Sequence, residues 1–434
     1  MQKTRPSFGV QKTVLIAATA GCLALSFASP QQAAATETSN DQTVCPAPSD
    51  DVETADTSTV ETASEGETAP VLEEAEENAL RVATYDANLT RPSAGELFEE
   101  LSAPGTEDAT EVANVIQTVR PDVLVLTGID IHGGDELVDA FNTNYLAVGQ
   151  GDNGGISYPY SYTAQSNAGV ESGADLDRDG TIGGPGDALG YGDFPGQSSM
   201  IIYSRYPIDT EGVRDFTSLP WSKMPGNNIP EDVTDLERDI LPLASVSHWD
   251  VPVDVEGQTV HVLASSAADA SNREKGSARN QDQIRFWQDY LDEDTDYITD
   301  HRGDRGPLAD GEQFVIAGSL KADPQGDGPA NPDAINSLLE SDEITDPQPT
   351  RTLASSALGG GALPDGPGDR YHTAPSPTGD SDSYRADYVL VSSDMTVTDS
   401  GVLDTGGDVA NGFFGMQPTN GANHLVWADT VISD

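Results

Sequence analysis

The sequence predicts a layered α/β fold, and three observations predict it. Short apolar runs such as Phe314 to Ala317 and Asp122-Val-Leu-Val-Leu-Thr-Gly-Ile129 are too brief for helices and end in Gly or polar residues, as buried strands do. Stretches with helical spacing lie between such runs, Ala109 to Val119 and Arg279 to Leu291 most clearly. Polar residues follow the strand ends at once, where a layered α/β protein usually carries its chemistry. The 434 residues are enough for one large domain or two average ones, and no internal repeat or second domain is evident.

Three regions precede or make up that domain. Residues 1–35 read as a secretory signal: Lys3, Arg5 and Lys12 come before an apolar run from Val14 to Ala28, and Ala33-Ala34-Ala35 offers a cleavage site. The run is short for a membrane span. Thr19-Ala20-Gly21-Cys22 only faintly matches a lipidation motif. The expected location is therefore secreted, extracellular or at the cell envelope, with no transmembrane segment in the mature chain. Residues 36–79 form an acidic, disordered linker. From Thr36 to Asn78 it carries 13 Asp and Glu and no Lys or Arg, so it has too little apolar surface to order itself. The domain follows over 80–434. After cleavage Cys45 stands alone, so no internal disulfide supports the fold. The whole chain has 21 Lys and Arg against 73 Asp and Glu, a net charge of -52. Such a charge disfavours duplex nucleic acid and anionic lipid as partners.

Within the domain, Leu80 to Asp86 alternates as a first strand. Ala94 to Leu101 and Ala109 to Val119 are helices, the second with Val112, Val115, Ile116 and Val119 in one stripe. Asp135 to Tyr145 reads as a helix, and Tyr158 to Thr163 and Ser199 to Tyr203 as strands. Ser245 to Val255 and Thr259 to Ala264 form a hairpin through Glu256-Gly257. Arg279 to Leu291 turns Ile284, Trp287 and Leu291 inward. Pro332 to Leu339 is a short helix, and Ala357 to Gly368 a Gly-rich loop. Arg385 onward, Met395 to Leu403 and Leu425 to Ile432 are the closing strands.

One loop stands out chemically. Asp175, Asp177 and Asp179 alternate and are followed by Gly180 and Thr181, which is the start of a calcium loop. Thr181 would offer its carbonyl. Gly186 occupies the place of the usual Glu, and Asp187 follows it. Either a structural Ca2+ site or a solvated acidic loop fits this pattern.

Several motifs together resemble the endonuclease/exonuclease/phosphatase superfamily, over about Leu80 to Asp434. They are Thr84-Tyr85-Asp86, the strand ending at Gly128, Ser265-Ser266, Gly318-Ser319-Leu320-Lys321, Arg385-Ala386-Asp387-Tyr388 and Asn420 to Trp427. The resemblance implies a four-layer α/β sandwich, with two central mixed sheets flanked by helices. It also implies cleavage of phosphate esters by an activated water, with a divalent metal, Mg2+ or Mn2+, held mainly by a strand Glu.

At most of the positions carrying that chemistry, this sequence differs. Gly128 stands for the metal-binding Glu, Ser266 for a His, and Ser319 and Lys321 for the Asp and Asn at the phosphate. Asp86 takes an Asn position. Asp387 keeps the family Asp that orients the catalytic His. Without a gap, Ala422 and Asn423 fall on the final Asp-His. A one-residue slide would put Asn423-His424 there, at the cost of the Leu425-Val426-Trp427 match and of side-chain facing.

Loss of one positioned catalytic group commonly costs roughly 10²-fold to 10⁴-fold in rate. A lysine roughly 5 Å from a divalent ion adds about 6 to 7 kcal/mol of repulsion at an effective dielectric near 20. The expectation is a degenerate pseudoenzyme that binds a cell-envelope ligand or a phosphate-containing molecule, with Lys321 paired to Asp86 in place of the metal's charge. The alternative is an active metal-dependent phosphodiesterase or phosphomonoesterase with a rearranged site, for which Asp86, Asp130, Asp387 and His424 would have to converge.

Overall fold

Strands alternate side chains between faces, so a strand buried on both sides must serve two cores. The first strand does this in full. In the computed structural model, β1 (Ala79–Leu89) sends Ala83, Tyr85, Ala87 and Leu89 into one apolar cluster and Leu80 and Val82 into another. The structure describes residues 79–270, 274–293, 295–353, 371–375, 383–404 and 421–433. The segment 1–35 expected to be a secretory signal, residues 36–78 of the expected linker with Cys45, and the expected loop Ala357 to Gly368 lie outside them. All described residues belong to the compact unit Glu65–Asp434, and the unit Met1–Ser64 lies outside the described residues.

The elements follow in order. After β1 come α1 (Glu96–Leu101), α2 (Glu107–Val119), β2 (Val123–Ile129) and α3 (Asp135–Phe141). Then come β3 (Tyr160–Tyr162), β4 (Ser199–Ser204), β5 (Arg214–Asp215) and α4 (Asp235–Ile240). The hairpin β6 (His248–Val255) and β7 (Gln258–Ser266) leads to α5 (Glu274–Leu291), β8 (Gln313–Ser319) and α6 (Asp333–Leu339). The chain closes with β9 (Ile344–Thr345), β10 (Arg351–Leu353), β11 (Ala374–Pro375), β12 (Ser383–Tyr384), β13 (Asp387–Ser392), β14 (Thr396–Asp404) and β15 (Val426–Val431).

Two mixed sheets result. One has the order β10-β14-β15-β1-β2-β4-β3, with β1 and β2 parallel. The other has the order β5-β6-β7-β8-β13-β9, with β7 and β8 parallel. Between the sheets lies a Val-rich cluster that includes Val82, Val125, Val262, Val315 and Val389. A second cluster packs α1, α2 and α3 on the outer face of the first sheet. A third packs α5 and α6 on the other sheet through Trp287, Ile335 and Ile316. The order is helix, sheet, sheet, helix, the four-layer sandwich that the sequence predicts. Each fully buried large apolar side chain in these layers contributes about 1.5–3 kcal/mol.

The expected elements form, with small shifts. Strand β1 begins at Ala79, one residue before the expected boundary. The α-helix from Asp135 stops at Phe141 and continues as a π-helical turn, Asn142–Leu146. Helix α4 is an addition. Its N-terminus is a capping box in which Glu237 N donates to Thr234 Oγ1 and Thr234 N donates to Glu237 Oε2.

One end of β1 is locked. The Arg81 guanidinium donates to both Asp429 oxygens at 2.6 and 2.7 Å and to Val119 O at 2.9 Å, and lies over the Trp427 ring. The opposite ends of the central strands carry the candidate site.

Candidate functional site

Strand register sets the site. Ser319 at the end of β8 is the register partner of both Ser266 on β7 and Asp387 on β13, so the three stand in one row. On the other sheet Asp86 is paired with Thr127, and the β1–β2 register then shifts, leaving Gly128 at the irregularity. The segment leading into β15 joins the two sheets. Asn423 N donates to Asp86 O at 2.9 Å, and Asn423 Nδ2 donates to Asp387 Oδ2 at 2.8 Å.

Asp387 is fully buried. Thr373 Oγ1 donates to its Oδ2 at 2.7 Å. Burial, and after it the Asp86 carboxylate, push Asp387 up to about 7, against the pull of Thr373, Ser319 and Asn423. Ser319 stands next to the carboxylate, although neither Ser319 Oγ nor Asp387 Oδ1 has a hydrogen bond of ordinary geometry. Asp387 Oδ2 is already taken by two donors, Thr373 and Asn423.

Gly128 has φ +67°, and a Cβ there would lie 2.1 Å from Asp86 Oδ1 and 3.0 Å from Asn88 N. The site therefore lacks the glutamate, and any side chain there would have to strain the left-handed backbone and displace the Asp86 carboxylate. Ala422 is also enclosed: it packs in the apolar cluster under α1 to α3, where a carboxylate would lose its hydration. His424, half-buried, is held by its backbone N–H on Thr373 O at 2.7 Å.

The expected Lys321–Asp86 ion pair is not formed; among the described residues Lys321 makes no ion pair. Lys321 sits in the left-handed region at φ +54° with its N–H on Ala386 O, while Asp86 Oδ1 accepts from Asn88 N at 3.4 Å. The backbone turn that follows β8, rather than a charge partner, sets the place of Lys321. Nor do Asp86, Asp130, Asp387 and His424 converge. Asp130 ties loops together, accepting from Arg91 N at 2.7 Å and Ser198 N at 2.9 Å. Burial pushes it up to about 6. Among the described residues, the groups of three or more convergent ligand-type side chains include none of these four. The residues present thus do not fit the metal that the resemblance implies.

Sequence reasoning missed Thr373, which holds Asp387. It lies outside every strong motif, and only the fold brings it there. Helix α5 begins at Glu274, five residues before the expected Arg279, and the polar residues within it are structural: Arg279 donates to the carbonyls of Leu243, Leu189, Pro242 and Ala244, and Asp282 accepts from Trp221 and Asn228.

The acidic loop is built differently. Asp175, Asp177 and Asp187 each bring a carboxylate oxygen within 4.8 Å of the others. Asp179 lies outside this group, and its Oδ1 accepts from Thr181 N at 2.7 Å. Asp187 is buried, yet its carboxyl is held below the usual carboxylate range. Desolvation raises it, but the N–H groups of Asp177, Gly183 and Leu176, with the Lys275 charge, outweigh that. A Cβ at Gly186 would lie 2.2 Å from Asp177 Oδ2, so this position must stay bare and the acid comes one residue later.

A two-sheet α/β sandwich with its candidate site at the strand ends is a phosphoesterase-type architecture. Residues 97–434 match the model of the Endonuclease/Exonuclease/phosphatase family, and the chain belongs to that family. Members of the family are typically metal-dependent. Solved structures similar in fold include an endonuclease/exonuclease/phosphatase from Beutenbergia cavernae (18% identity, 82% of this chain and 72% of that one, TM-score 0.44). Others are a mannosyl-6-phosphatase from Bacteroides thetaiotaomicron (13%, 81% and 100%, 0.42) and sphingomyelinase C from Streptomyces griseocarneus (16%, 81% and 99%, 0.40). No curated protein matches the sequence. Among the described residues, no helix is long and apolar enough to cross a membrane.

Proposed function

We propose that this chain is a catalytically degenerate member of its family, exported by its N-terminal segment and carried on an acidic linker, with a binding role at the cell envelope. The observation that carries the proposal is Gly128. The metal-holding carboxylate is missing there, and the left-handed backbone with the 2.1 Å approach of a Cβ to Asp86 Oδ1 disfavours regaining one while Asp86 keeps its place. Asn423 supports it as well. By donating to Asp387 it occupies the place of the His in the ungapped match, with an amide that neither accepts nor releases a proton at neutral pH. The cleft would then bind a phosphate-bearing ligand without metal, using the Lys321 charge.

The experiment compares the parent with a revertant in hydrolysis of a phosphodiester and a phosphomonoester. The revertant carries Gly128→Glu, Ser266→His, Ser319→Asp, Lys321→Asn, Ala422→Asp and Asn423→His, with Asp86→Asn added to remove the like charge facing residue 128. An inactive parent beside a folded revertant with Mg2+-dependent turnover supports degeneration on a sound scaffold. Metal-dependent turnover by the parent contradicts it.

The acidic loop is proposed as a structural Ca2+ site held by Asp175, Asp177 and Asp187. Asp175 Oδ1 is buried without a hydrogen bond, which a cation would satisfy. Calcium should raise Tm in the parent and leave Asp177→Asn unchanged. An equal rise in both would refute the site.

A further inference from the structure

A second ligand cluster lies apart from the cleft residues discussed above. The turn after β8 carries Asp323 and Asp327, and the segment entering β11 carries His372. His372 Nε2 stands 3.8 Å from Asp323 Oδ2 and 3.7 Å from Asp327 Oδ2, and the three ligand atoms lie within 4.8 Å of one another. Both His372 and Asp323 are buried, at 2% and 1% exposure.

Two features make this a prepared donor set. The other ring nitrogen, His372 Nδ1, is 2.9 Å from Ser383 Oγ, which fixes the ring with Nε2 toward the carboxylates. Asp323 is fixed by backbone donors, Gln325 N on Oδ1 at 2.7 Å and Arg385 N on Oδ2 at 2.8 Å. Arg385 itself is neutralised by a two-pronged contact with Asp346 at 2.8 Å, so its guanidinium does not compete for Asp323.

We propose that His372, Asp323 and Asp327 bind a divalent first-row transition metal such as Zn2+. Metal–ligand distances near 2.0–2.2 Å put tetrahedral ligand atoms roughly 3.3–3.6 Å apart. The observed 3.7 and 3.8 Å separations therefore close onto such an ion with a shift of a few tenths of an ångström. Imidazole with two carboxylates suits Zn2+ or Mn2+ better than Ca2+, which separates this cluster from the all-oxygen loop around Asp187. The Asp327 side chain is 41% exposed, so the third ligand opens toward solvent and gives the ion an entry path. A bound ion would clip the turn after β8 to the segment holding Thr373, the residue that positions Asp387.

The test is calorimetric titration of the purified, untagged full chain with ZnCl2 after chelator treatment, with Tm measured alongside. The expected result is one Zn2+ per chain at this site, a higher Tm, and a loss of affinity of about tenfold or more in His372→Gln and in Asp327→Asn. Asp327→Asn keeps the test valid if the buried His372 variant fails to fold. Asp177→Asn should leave Zn2+ binding unchanged. No Zn2+ binding, or binding that Asp327→Asn leaves intact, overturns the proposal.

Discussion

Asp187 and Asp387 are both buried aspartates, and they differ in what surrounds the charge. Asp187 receives three backbone N–H groups and the field of Lys275, so its carboxyl is held low. Asp387 meets a hydroxyl, an amide and a second carboxylate, and burial pushes it up to about 7. Depth below the surface and the donors supplied by the local backbone together set the difference: Asp387 lies deep in the fold beside a second carboxylate, whereas Asp187 lies in a loop whose N–H groups converge on it. In the acidic loop three carboxylates face one another, whereas in the cleft Asn423 and Thr373 hold Asp387 in a hydrogen-bonded joint between two sheets.

The largest expected effect tests how firmly the cleft is closed. Gly128→Glu should destabilise the protein by about 3–4 kcal/mol, from the left-handed backbone and the contact with Asp86. Denaturant midpoints read this directly, and a neutral effect would mean that the cleft can reopen.

Next is the pH dependence of Asp387. With its folded value near 7, the fold keeps a proton that the unfolded chain has lost. The folded state therefore binds more protons between roughly pH 4 and 7, and stability falls as pH rises through that window. Asp387→Asn, whose carbonyl can still accept from Thr373 and Asn423, should flatten the fall and stabilise by up to about 4 kcal/mol at pH 8. Parallel pH profiles for the two proteins would show that Asp387 is not the group that titrates.

A smaller effect probes the other side of the comparison. Asp187→Ala should lower Tm and remove the response to calcium, because Leu176, Asp177 and Gly183 N–H groups lose their acceptor. A calcium response that survives would move the site elsewhere.

The smallest is Lys321→Asn. Asn tolerates the left-handed backbone at φ +54° better than Lys, so a gain of about 0.5–1 kcal/mol is expected in urea unfolding. A loss would indicate that the Lys side chain contributes packing or charge.

Much of the fold was legible in the sequence. Runs such as Phe314 to Ala317 carry enough apolar residues to be identified as strands, and the stripe of Val112, Val115, Ile116 and Val119 fixes a helix. Edge strands of two or three residues, such as β5 and β9, are too short to show alternation. Helix α4 did leave a signal, Thr234 three residues before Glu237, in a stretch for which no element is expected above. The site was legible only as residue identities. The backbone turn at Gly128, the loop ties of Asp130 and the absence of a Lys321–Asp86 pair depend on tertiary geometry. The same holds for the meeting of His372 with Asp323 and Asp327, since the strands between them bring the segments together.

The most direct test of the central claim is hydrolysis by the parent chain of a phosphodiester and a phosphomonoester, with Mg2+, Mn2+ and Ca2+ in turn. A degenerate cleft gives no turnover above the metal-free blank with any of them. Metal-dependent turnover that falls in both Asp387→Asn and His424→Ala would contradict it and identify a working, rearranged site.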